Sequence, residues 1–511
     1  MKESMKKLIA YIDNTISKIT MYRIVLYGLI GMTAISIVLS ILGLVHFSAI
    51  GIIISTVVLL VVCYIVNKLF SVVFDAQSNY ESWLITALIL TLILPPVQTA
   101  TGASLVALTG VIAISSKYLI AYRHRHIFNP AAFGALVLTA TGLQPAIWWV
   151  GTPLLVIFTV ILGIVLLRKL RLYTFFSYFA LAAIIVAVVV GAMGGQPATI
   201  IIASLLLSSP LIFLGTIMLT EPETMPNGTK VKLFYALLVG ALISSQLHIG
   251  SFYATPELAL IIGNLFAFII ATGYFKQQVA LKQKVEIGTH LHEYVFQTKR
   301  PIKFIPGQYR EITLSHHGTD GRGNRRTFSI ASGVHPHEIR FATKLFEKSS
   351  SFKTELDNLK TDDVVTIGQL NGSFILPQDT NKKLVWIAGG IGVTPFASMA
   401  RDMVTRKVNR DVTLFYLVAT ADEYAYQDVW QQAKQYGLRV VPIMTGPVSN
   451  PAWKGLTGRL SPELVEKEVP DFRQRQFYLS GPHGLVLFFQ KTLRHLSLKK
   501  SAIHSDFFSG Y

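Results

Sequence analysis

The first half of the chain consists of apolar runs that are long enough, or nearly long enough, to cross a lipid bilayer. A spanning helix needs about 17–25 mostly apolar residues, and such runs follow one another up to residue 276. The candidate spans are 22–45, 49–70, 82–100, 103–120, 130–143, 147–167, 173–192, 199–219, 231–249 and 256–275. The run at 130–143 is short, which predicts a tilted, broken or re-entrant segment. We therefore predict a polytopic α-helical membrane domain of about ten spans over residues 22–276.

Lysine and arginine residues fall on one side of these ten spans. They precede the first span and follow the fourth, sixth, eighth and tenth, whereas the loops HFSAI, TGLQPA, MGGQPA and IGSFYATPE contain neither residue. Because cytoplasmic loops carry the excess of Lys and Arg, both ends of the chain are predicted to be cytosolic. Residues 1–21 are predicted to be a cytosolic amphipathic helix, not a cleaved signal peptide. We expect a multi-pass protein of a bacterial plasma membrane.

The formal net charge of +18 is accounted for by cytosolic loops that face anionic lipid. Membrane lipid is therefore an expected partner and nucleic acid is not. The one cysteine, Cys63, lies in an apolar run and cannot form an internal disulfide or hold an iron–sulfur cluster. No two histidines share a span at ligand spacing, so neither haem nor another metal site is predicted.

The second half of the chain has the pattern of a water-soluble α/β protein. Short β-like segments with Gly and Pro between them predict a small β-barrel over residues 284–380. From residue 381 to 511 strands alternate with helices, which predicts a doubly wound parallel sheet. The predicted fold is therefore a membrane domain followed by a cytosolic barrel and a nucleotide-binding α/β domain.

Three motifs lie where this half is predicted to meet a ligand. GGIGVTPF, residues 389–396, follows a buried strand and opens a helix, so its backbone N–H groups can approach a pyrophosphate. RTFS, residues 326–329, lies in a barrel strand, where an arginine can pair with a diphosphate and an aromatic side chain can lie against a flat ring. SGPHG, residues 480–484, again joins a strand to a helix. Each motif alone also fits an ordinary turn or strand.

In this order and spacing the motifs resemble those of the ferredoxin–NADP+ reductase superfamily, over residues 284–511. The resemblance implies FAD on the barrel and NADH or NADPH on the α/β domain. PGQY, residues 306–309, matches the start of the flavin barrel, and SSFKTEL, residues 350–356, occupies the place of the segment that cradles the FAD pyrophosphate. Position 480 has serine where the family has cysteine, and we expect its hydroxyl to shape the nicotinamide pocket.

The resemblance also assigns roles to individual residues. Catalytic roles are expected at Ser329, Thr394 and Ser480. Cofactor contacts are expected at Tyr309, Arg326, Thr327, Phe328, Ser329, Ser351, Gly389, Gly390, Gly392, Thr394, Pro395, Gly481 and Pro482. Phe508 or Tyr511 is expected to stack on the isoalloxazine ring, the alternative being a frayed tail. Asp422 and Glu423 follow the strand LFYLVA and would repel a 2′-phosphate, which favours NADH over NADPH.

The membrane half has two irregular loops on its predicted cytosolic side, AYRHRHIFNPAAFG at 121–134 and TEPETMPNGTK at 220–230. Irregular backbone at membrane depth is tolerated where it is buried in protein or lines a cavity. The segments ALILTLILPP, FNPAAFG, WWVGTP and FLGTIMLTEPETMP resemble, in that order, the B subunit of the sodium-translocating NADH:quinone reductase and the D subunit of the Rnf complex. The covalent-flavin motif of those subunits, close to Ser-Gly-Ala-Thr, does not occur between FNPA and WWVG.

That second resemblance implies a further flavin, FMN or riboflavin, held non-covalently or in part by a partner. Its expected contacts are Arg123, Arg125, His126, Asn129, Thr220, Glu221 and Thr224. The alternative is that these cations only set the topology.

Three functions follow. The first is a membrane NAD(P)H dehydrogenase that passes electrons through FAD and a membrane flavin to an extracytosolic acceptor such as a flavoprotein. The second is a single-chain NADH:quinone oxidoreductase, with or without movement of an ion; no acidic residue lies in mid-span to support ion movement. The third, of another class, is a transporter regulated by nucleotide binding.

Overall fold

The computed structural model divides the chain into two compact units, an N-terminal unit of residues 1–275 and a C-terminal unit of residues 276–511. The structure describes residues 16, 19–74, 80–122, 125–245, 248–249, 252–270, 276–314, 316, 318–320, 324–347, 349–447 and 453–508. Most of the predicted N-terminal helix, 1–21, lies outside the described residues.

The described part of the N-terminal unit consists of apolar helices, and a helix lies in each of the ten predicted runs. They are α1 (Met21–Ile41), α2 (Ala49–Val73), α3 (Tyr80–Ile93), α4 (Ala100–Leu119), α5 (Pro130–Ala140), α6 (Pro153–Leu170), α7 (Tyr173–Met193), α8 (Ala198–Leu207), α9 (Leu211–Met218), α10 (Thr229–Ser244) and α11 (Pro256–Ile270). Two short hairpins, β1 (Ala121–Tyr122) with β2 (Arg125–His126) and β3 (His248–Ile249) with β4 (Phe252–Tyr253), lie between helices.

The ten spans that the sequence predicts are not all confirmed by the length of the described helices. Five described helices are long and apolar enough to cross a membrane, namely α1, α2, α4, α6 and α7, and α8 with α9 would make a sixth span bent by 57°. Proline explains two of the interruptions, because it cannot continue a helix. Pro95 and Pro96 follow α3, and Pro210 lies in the break between α8 and α9. The short run at 130–143 forms an eleven-residue helix.

The C-terminal unit begins with an antiparallel barrel-like sheet of six strands in the order β8-β7-β10-β5-β6-β9. The strands are β5 (Gln277–Gly288), β6 (Leu291–Gln297), β7 (Tyr309–Thr313), β8 (Arg325–Ser329), β9 (Glu338–Lys344) and β10 (Val364–Asn371). The sheet therefore starts at Gln277, ahead of the predicted boundary at 284. Helix α12 (Ser351–Asn358) lies between β9 and β10.

A second sheet of six strands, all parallel, follows in the order β14-β13-β12-β11-β15-β16. Its strands are β11 (Leu384–Gly389), β12 (Val412–Val418), β13 (Leu438–Met444), β14 (Leu456–Thr457), β15 (Gln476–Pro482) and β16 (Ile503–Phe508). The helices are α13 (Thr394–Arg406), α14 (Gln427–Ala433), α15 (Pro462–Glu468) and α16 (His483–His495). The predicted barrel and doubly wound domain are confirmed, whereas β14 and β16 were not predicted.

A buried carboxylate joins the two halves of the C-terminal unit. Glu293 on β6 is 1% exposed and accepts hydrogen bonds from Arg401 of α13 at 2.8 and 3.2 Å and from Arg340 of β9 at 3.1 Å. A buried charge is tolerated only when it is paired and hydrogen-bonded. This contact therefore holds the barrel and the α/β domain in one arrangement.

Candidate functional site

The glycine-rich loop after β11 lies against the last residues of β15. A Cβ at Gly392 would lie 2.5 Å from Gly481 Cα and 2.6 Å from the Ser480 carbonyl oxygen, and a Cβ at Gly481 would lie 3.1 Å from Gly389 N. Gly390 has φ +50° and Gly481 has φ +153°, values that side-chain-bearing residues rarely adopt. The structure thus brings both predicted loops together at the carboxyl ends of adjacent parallel strands. This is where doubly wound sheets bind ligands.

Two hydroxyl groups of this half of the site are buried. Thr394 Oγ1 donates to the Ile391 carbonyl oxygen at 3.1 Å. Ser480 is fully buried, and its Oγ has no hydrogen-bond partner among the described residues. An unsatisfied buried hydroxyl costs about 1–3 kcal/mol, so Ser480 fits a site whose ligand supplies the missing polar partner. The glycine cradle and this hydroxyl together fit a nicotinamide dinucleotide.

The RTFS motif lies on β8, and its side chains alternate between two faces. Thr327 is exposed, whereas Phe328 is 8% exposed and packs against Phe341 and Phe352. The ring of Phe328 therefore faces the barrel core, and not outward against a flat cofactor as the motif suggested. Ser329 Oγ is buried without a hydrogen-bond partner in the described part of the chain, as Ser480 Oγ is.

Arg326 and Ser351, the two predicted diphosphate contacts, meet at one residue. The Arg326 guanidinium lies 3.1 Å from the Asp320 carboxylate and 5.2 Å from the centre of the Phe352 ring. The backbone N–H of Asp320 donates to Ser351 Oγ at 3.0 Å. Ser351 is the first residue of α12, where the helix dipole favours an anion. A cation and a helix N-terminus at the same place fit a diphosphate group.

The other predicted contacts of the C-terminal unit lie as follows. Tyr309 pairs with Ser329 across β7 and β8, and the Cβ that Gly372 lacks would lie 3.1 Å from the Tyr309 ring. Pro395 is buried in the first turn of α13, and Pro482 is exposed at the end of β15. Phe508 pairs with Pro482 in the register of β15 and β16, while Tyr511 lies outside the described residues.

Asp422 and Glu423 are held in different ways. Glu423 accepts a 2.6 Å hydrogen bond from Lys344 of β9, and the carbonyl oxygen of Asp422 accepts one from Thr289 N at 3.0 Å. Both residues therefore pack the α/β domain onto the barrel, and Lys344 neutralises Glu423. The contact of Asp422 is made by its backbone and not by its carboxylate, so repulsion of a 2′-phosphate by Asp422 stays a prediction.

The N-terminal unit brings the two irregular loops together. Arg125 donates to the carbonyl oxygens of Glu223 and Met225. Glu221 accepts from Asn129 at 2.8 Å and from Thr224 at 3.3 Å, and it lies 3.2 Å from His126 Nε2. Thr220 Oγ1 donates to the Thr216 carbonyl oxygen at 2.7 Å. Arg123 lies outside the described residues.

The polar groups of the two loops bind one another. The cavity beside Asn129 and Glu221 has a volume of about 40 Å³, enough for a water molecule, whereas ligand pockets have volumes of about 300–1,000 Å³. A flavin at these residues would therefore require the two loops to separate, and the flavin site stays a prediction.

Two buried charged groups were missed by sequence reasoning. Arg310 of β7 is 1% exposed, donates to the Gly368 carbonyl oxygen at 3.1 Å, and has no partner for Nε in the described ranges; burial lowers the pKa of Arg310 to about 10. Glu257 at the start of α11 is fully buried and accepts from Trp148 Nε1 at 2.8 Å. The position of Arg310 directly after PGQY was the available signal for the first.

One carboxylate anchors the far end of α12. Asp357 Oδ1 accepts from Lys284 at 2.6 Å and from Tyr294 at 3.0 Å, and lies 2.8 Å from His292 Nδ1. Burial raises the pKa of Asp357, but the hydrogen bonds from these three side chains outweigh burial and hold that pKa below its usual range. The helix that carries Ser351 is thereby held against β5 and β6.

This anchor predicts an acid-sensitive stability. Because the folded pKa of Asp357 is depressed, its contribution is present above the unfolded value of about 3.9 and is lost as the pH falls through the lower folded pKa. We expect Asp357→Asn to lower the unfolding free energy by about 1–2 kcal/mol at neutral pH, and the difference to vanish at acid pH. Thermal unfolding followed from neutral to acid pH measures it. Equal stability of the two proteins at neutral pH would contradict the anchor, and the exposed Glu466→Gln is the control.

Comparison with known proteins supports the assignment of the C-terminal unit. Residues 386–491 match the family described as the oxidoreductase NAD-binding domain. The chain is 25% identical over 217 residues to a flavohemoprotein of Bacillus cereus, covering 40% of this chain and 53% of that protein. It is 22% identical over 222 residues to the glycine betaine monooxygenase reductase subunit of Chromohalobacter salexigens, covering 42% and 59%. The chain thus spans between half and three fifths of the length of these relatives.

A solved structure gives a weak overall similarity. The FAD/NAD-binding domain of nitric oxide dioxygenase from Vibrio cholerae aligns with a TM-score of 0.41 and 21% identity, covering 46% of this chain and 99% of that domain. From these matches, the C-terminal unit contains an oxidoreductase NAD-binding domain and is similar to the flavohemoprotein and to the reductase subunit.

Proposed function

We propose that the chain is a membrane NAD(P)H dehydrogenase that passes electrons from cytosolic NADH through FAD to an acceptor across the membrane. The observation that carries the proposal is the glycine cradle with the buried, unpartnered Ser480 hydroxyl, in the same chain as five helices apolar enough to span a bilayer. A nicotinamide-binding module that is tethered in this way is suited to deliver electrons to a membrane or extracytosolic acceptor.

Each half of the module has a separate task. Gly389, Gly390 and Gly392 let backbone N–H groups bind the dinucleotide diphosphate, while the hydroxyls of Thr394 and Ser480 orient the nicotinamide. Arg326 and the N-terminus of α12 hold the FAD diphosphate, and Ser329 offers a hydroxyl at the isoalloxazine. Bound FAD supplies the conversion between hydride acceptance and the release of single electrons. Arg310 adds buried positive charge on the neighbouring strand, which favours an anionic group there.

The preferred nucleotide is NADH. A 2′-phosphate is ordinarily gripped by a cation, and the described residues directly after β12 and β13, 419–426 and 445–447, contain neither Lys nor Arg. The carboxylate of Asp422, which would repel a 2′-phosphate, is the second reason. NADH giving a higher kcat/KM than NADPH would support it.

Electron transfer across the membrane would require a carrier besides FAD. The N-terminal resemblance implies a second flavin, and a hydrocarbon core about 30 Å thick requires a further carrier. Because the polar groups around Arg125 and Glu221 bind one another, no step is assigned to these two loops. Extraction and counting of flavin per chain decides whether a second flavin is bound elsewhere.

A quinone acceptor is the second candidate. A cavity of about 700 Å³ is lined mainly by apolar residues of α7 and α10, with Gln196 and Ser245 as polar members. Its volume lies in the range of ligand pockets, and its lining suits an apolar quinone better than a phosphorylated flavin.

Sealed proteoliposomes test the direction of electron flow. With ferricyanide trapped inside and NADH added outside, we expect trapped ferricyanide to be reduced by molecules whose C-terminal unit faces outward. Reduction that requires added short-chain quinone would favour the second candidate. No NADH-dependent reduction of any acceptor by FAD-loaded protein would refute both. Gly392→Ala is the matched inactive control.

A further inference from the structure

Helix α16 has an exposed face on which bulky apolar and cationic side chains alternate. Leu487 is 40% exposed and Phe488 is 54% exposed. Lys491 and Arg494 are also exposed and lie on the same face, four and seven residues after Leu487, and Lys491 is three residues after Phe488. The opposite face packs into the α/β domain through Val486, Phe489 and Leu493. The exposed face therefore has no role in the core.

This face belongs to a segment without acidic residues. Residues 483–505 contain no Asp or Glu, and the exposed Lys499 and Lys500 follow the helix directly. Neither these two lysines nor Lys491 and Arg494 form a salt bridge with a described residue, in contrast to the paired cations Lys344 and Arg475. We name the residues Leu487, Phe488, Lys491, Arg494, Lys499 and Lys500 the α16 patch.

Apolar side chains flanked by cations are the composition of a surface that binds at the interface of an anionic bilayer. The apolar groups enter the headgroup boundary, and each Lys or Arg near the surface adds about a fivefold gain in partitioning. The cations extend by long aliphatic stems that also tolerate the interface. Because the C-terminal unit shares a chain with the apolar helices of the N-terminal unit, lipid is also present at high effective concentration.

We propose that the α16 patch is a lipid-docking site, which binds the anionic headgroups of the membrane in which the N-terminal unit resides. Leu487 and Phe488 insert, and the four cations bind phosphate groups. Helix α16 directly follows Ser480–Pro482, the end of β15, so docking immobilises the helix that supports the nicotinamide site. This goes beyond the proposed function, which requires only that the chain be anchored.

Spin labelling of the full chain in nanodiscs tests the proposal. The spin label is attached to Leu487→Cys. Protein without this substitution gives the background labelling, because its one cysteine, Cys63, is fully buried. Discs of phosphatidylcholine alone are compared with discs that also contain phosphatidylglycerol. We expect the label to become protected from a water-soluble relaxation agent and accessible to oxygen only in the anionic discs, and high salt to reverse the change.

Reversing the charge of the four cations of the α16 patch distinguishes lipid from a protein that covers the patch. The quadruple variant K491E/R494E/K499E/K500E is expected to lower the docked fraction at least about tenfold. The matched control K382E/K407E/K434E/K467E changes the same charge at exposed lysines elsewhere in the unit and is expected to dock normally. Protection that is equal in neutral discs and persists in high salt would mean that protein covers the patch, and would overturn the proposal. So would a label that stays exposed in every disc, or equal loss in the control.

The readout needs no turnover, so it stands apart from the proposed function. Retention of FAD by both quadruple variants shows that the unit is folded. If docking is absent while NADH is still oxidised, only the lipid-docking proposal fails. If docking is present while NADH is not oxidised, only the proposed function fails.

Discussion

Gly392→Ala is expected to reduce the rate of flavin reduction by NADH about 100-fold while leaving bound FAD in place. The new Cβ would lie 2.5 Å from Gly481 Cα and 2.6 Å from the Ser480 carbonyl oxygen. Both neighbours are backbone, so no side-chain rotation relieves the overlap and the two loops must separate. A displacement of about 1 Å at a reacting centre costs about 100-fold in rate. The FAD contacts at Arg326 and Ser351 lie on other elements and are expected to persist.

Anaerobic stopped-flow measurement of flavin bleaching by NADH checks this prediction. Gly484→Ala is the matched control, because a Cβ there meets no atom within 4 Å although the residue lies in the same segment after β15. Reduction of the Gly392→Ala protein at the wild-type rate would contradict the cradle as the nicotinamide site. A protein that has lost its FAD would show a folding defect, which flavin absorbance detects before the kinetic measurement.

Arg326→Ala is expected to weaken FAD binding by about 10- to 100-fold, because a hydrogen bond to a charged group contributes about 1.5–3 kcal/mol. The guanidinium already lies beside Asp320, whose N–H binds Ser351 at the start of α12, so its removal deprives this place of its cation. Arg326→Lys should recover part of the affinity, since lysine keeps the charge but not the planar fork.

Flavin-to-protein ratio after gel filtration, followed by FAD titration of the depleted protein, measures the loss. Arg439→Ala removes an exposed arginine that pairs with Glu468 and should retain FAD. If Arg326→Ala binds FAD as tightly as the native chain, the diphosphate lies elsewhere, and the buried Arg310 becomes the next candidate.

Much of the fold was predictable because its signals are local. The alternation of side chains in HEIRFATKL follows the two-residue period of a strand. The continuous apolar run LVWIAGG predicts a strand that is buried on both faces. The glycines at 389, 390 and 392 predict a close approach of backbone. These features depend on neighbours in sequence, and the structure places them as predicted. Strand β16 had no comparable signal, since its pairing with β15 depends on contacts distant in sequence.

The sequence predicted which motifs form the candidate site, but it did not predict which side chains of those motifs contact one another. The sequence identified Arg326, Ser351 and the glycine loops, but the inward direction of Phe328 depends on Phe341 and Phe352, which lie on β9 and α12. Glu423 resembles a nucleotide-selecting acid, but the structure shows that its carboxylate pairs with Lys344. In the same way, the cations around Arg125 suggest an anion site until the carbonyl groups of Glu223 and Met225 are found to occupy the guanidinium.

The sequence by itself determined that this chain has an apolar helical half and a barrel followed by a parallel α/β domain, because periodicity and apolar length are properties of neighbouring residues. Only the tertiary structure decided which polar groups remain free for a ligand. Ser480 and Ser329 keep unpartnered hydroxyls among the described residues, whereas Glu423 and Arg125 are used internally. The reason is that a hydrogen bond joins residues far apart in the chain, and its partner cannot be read from either one.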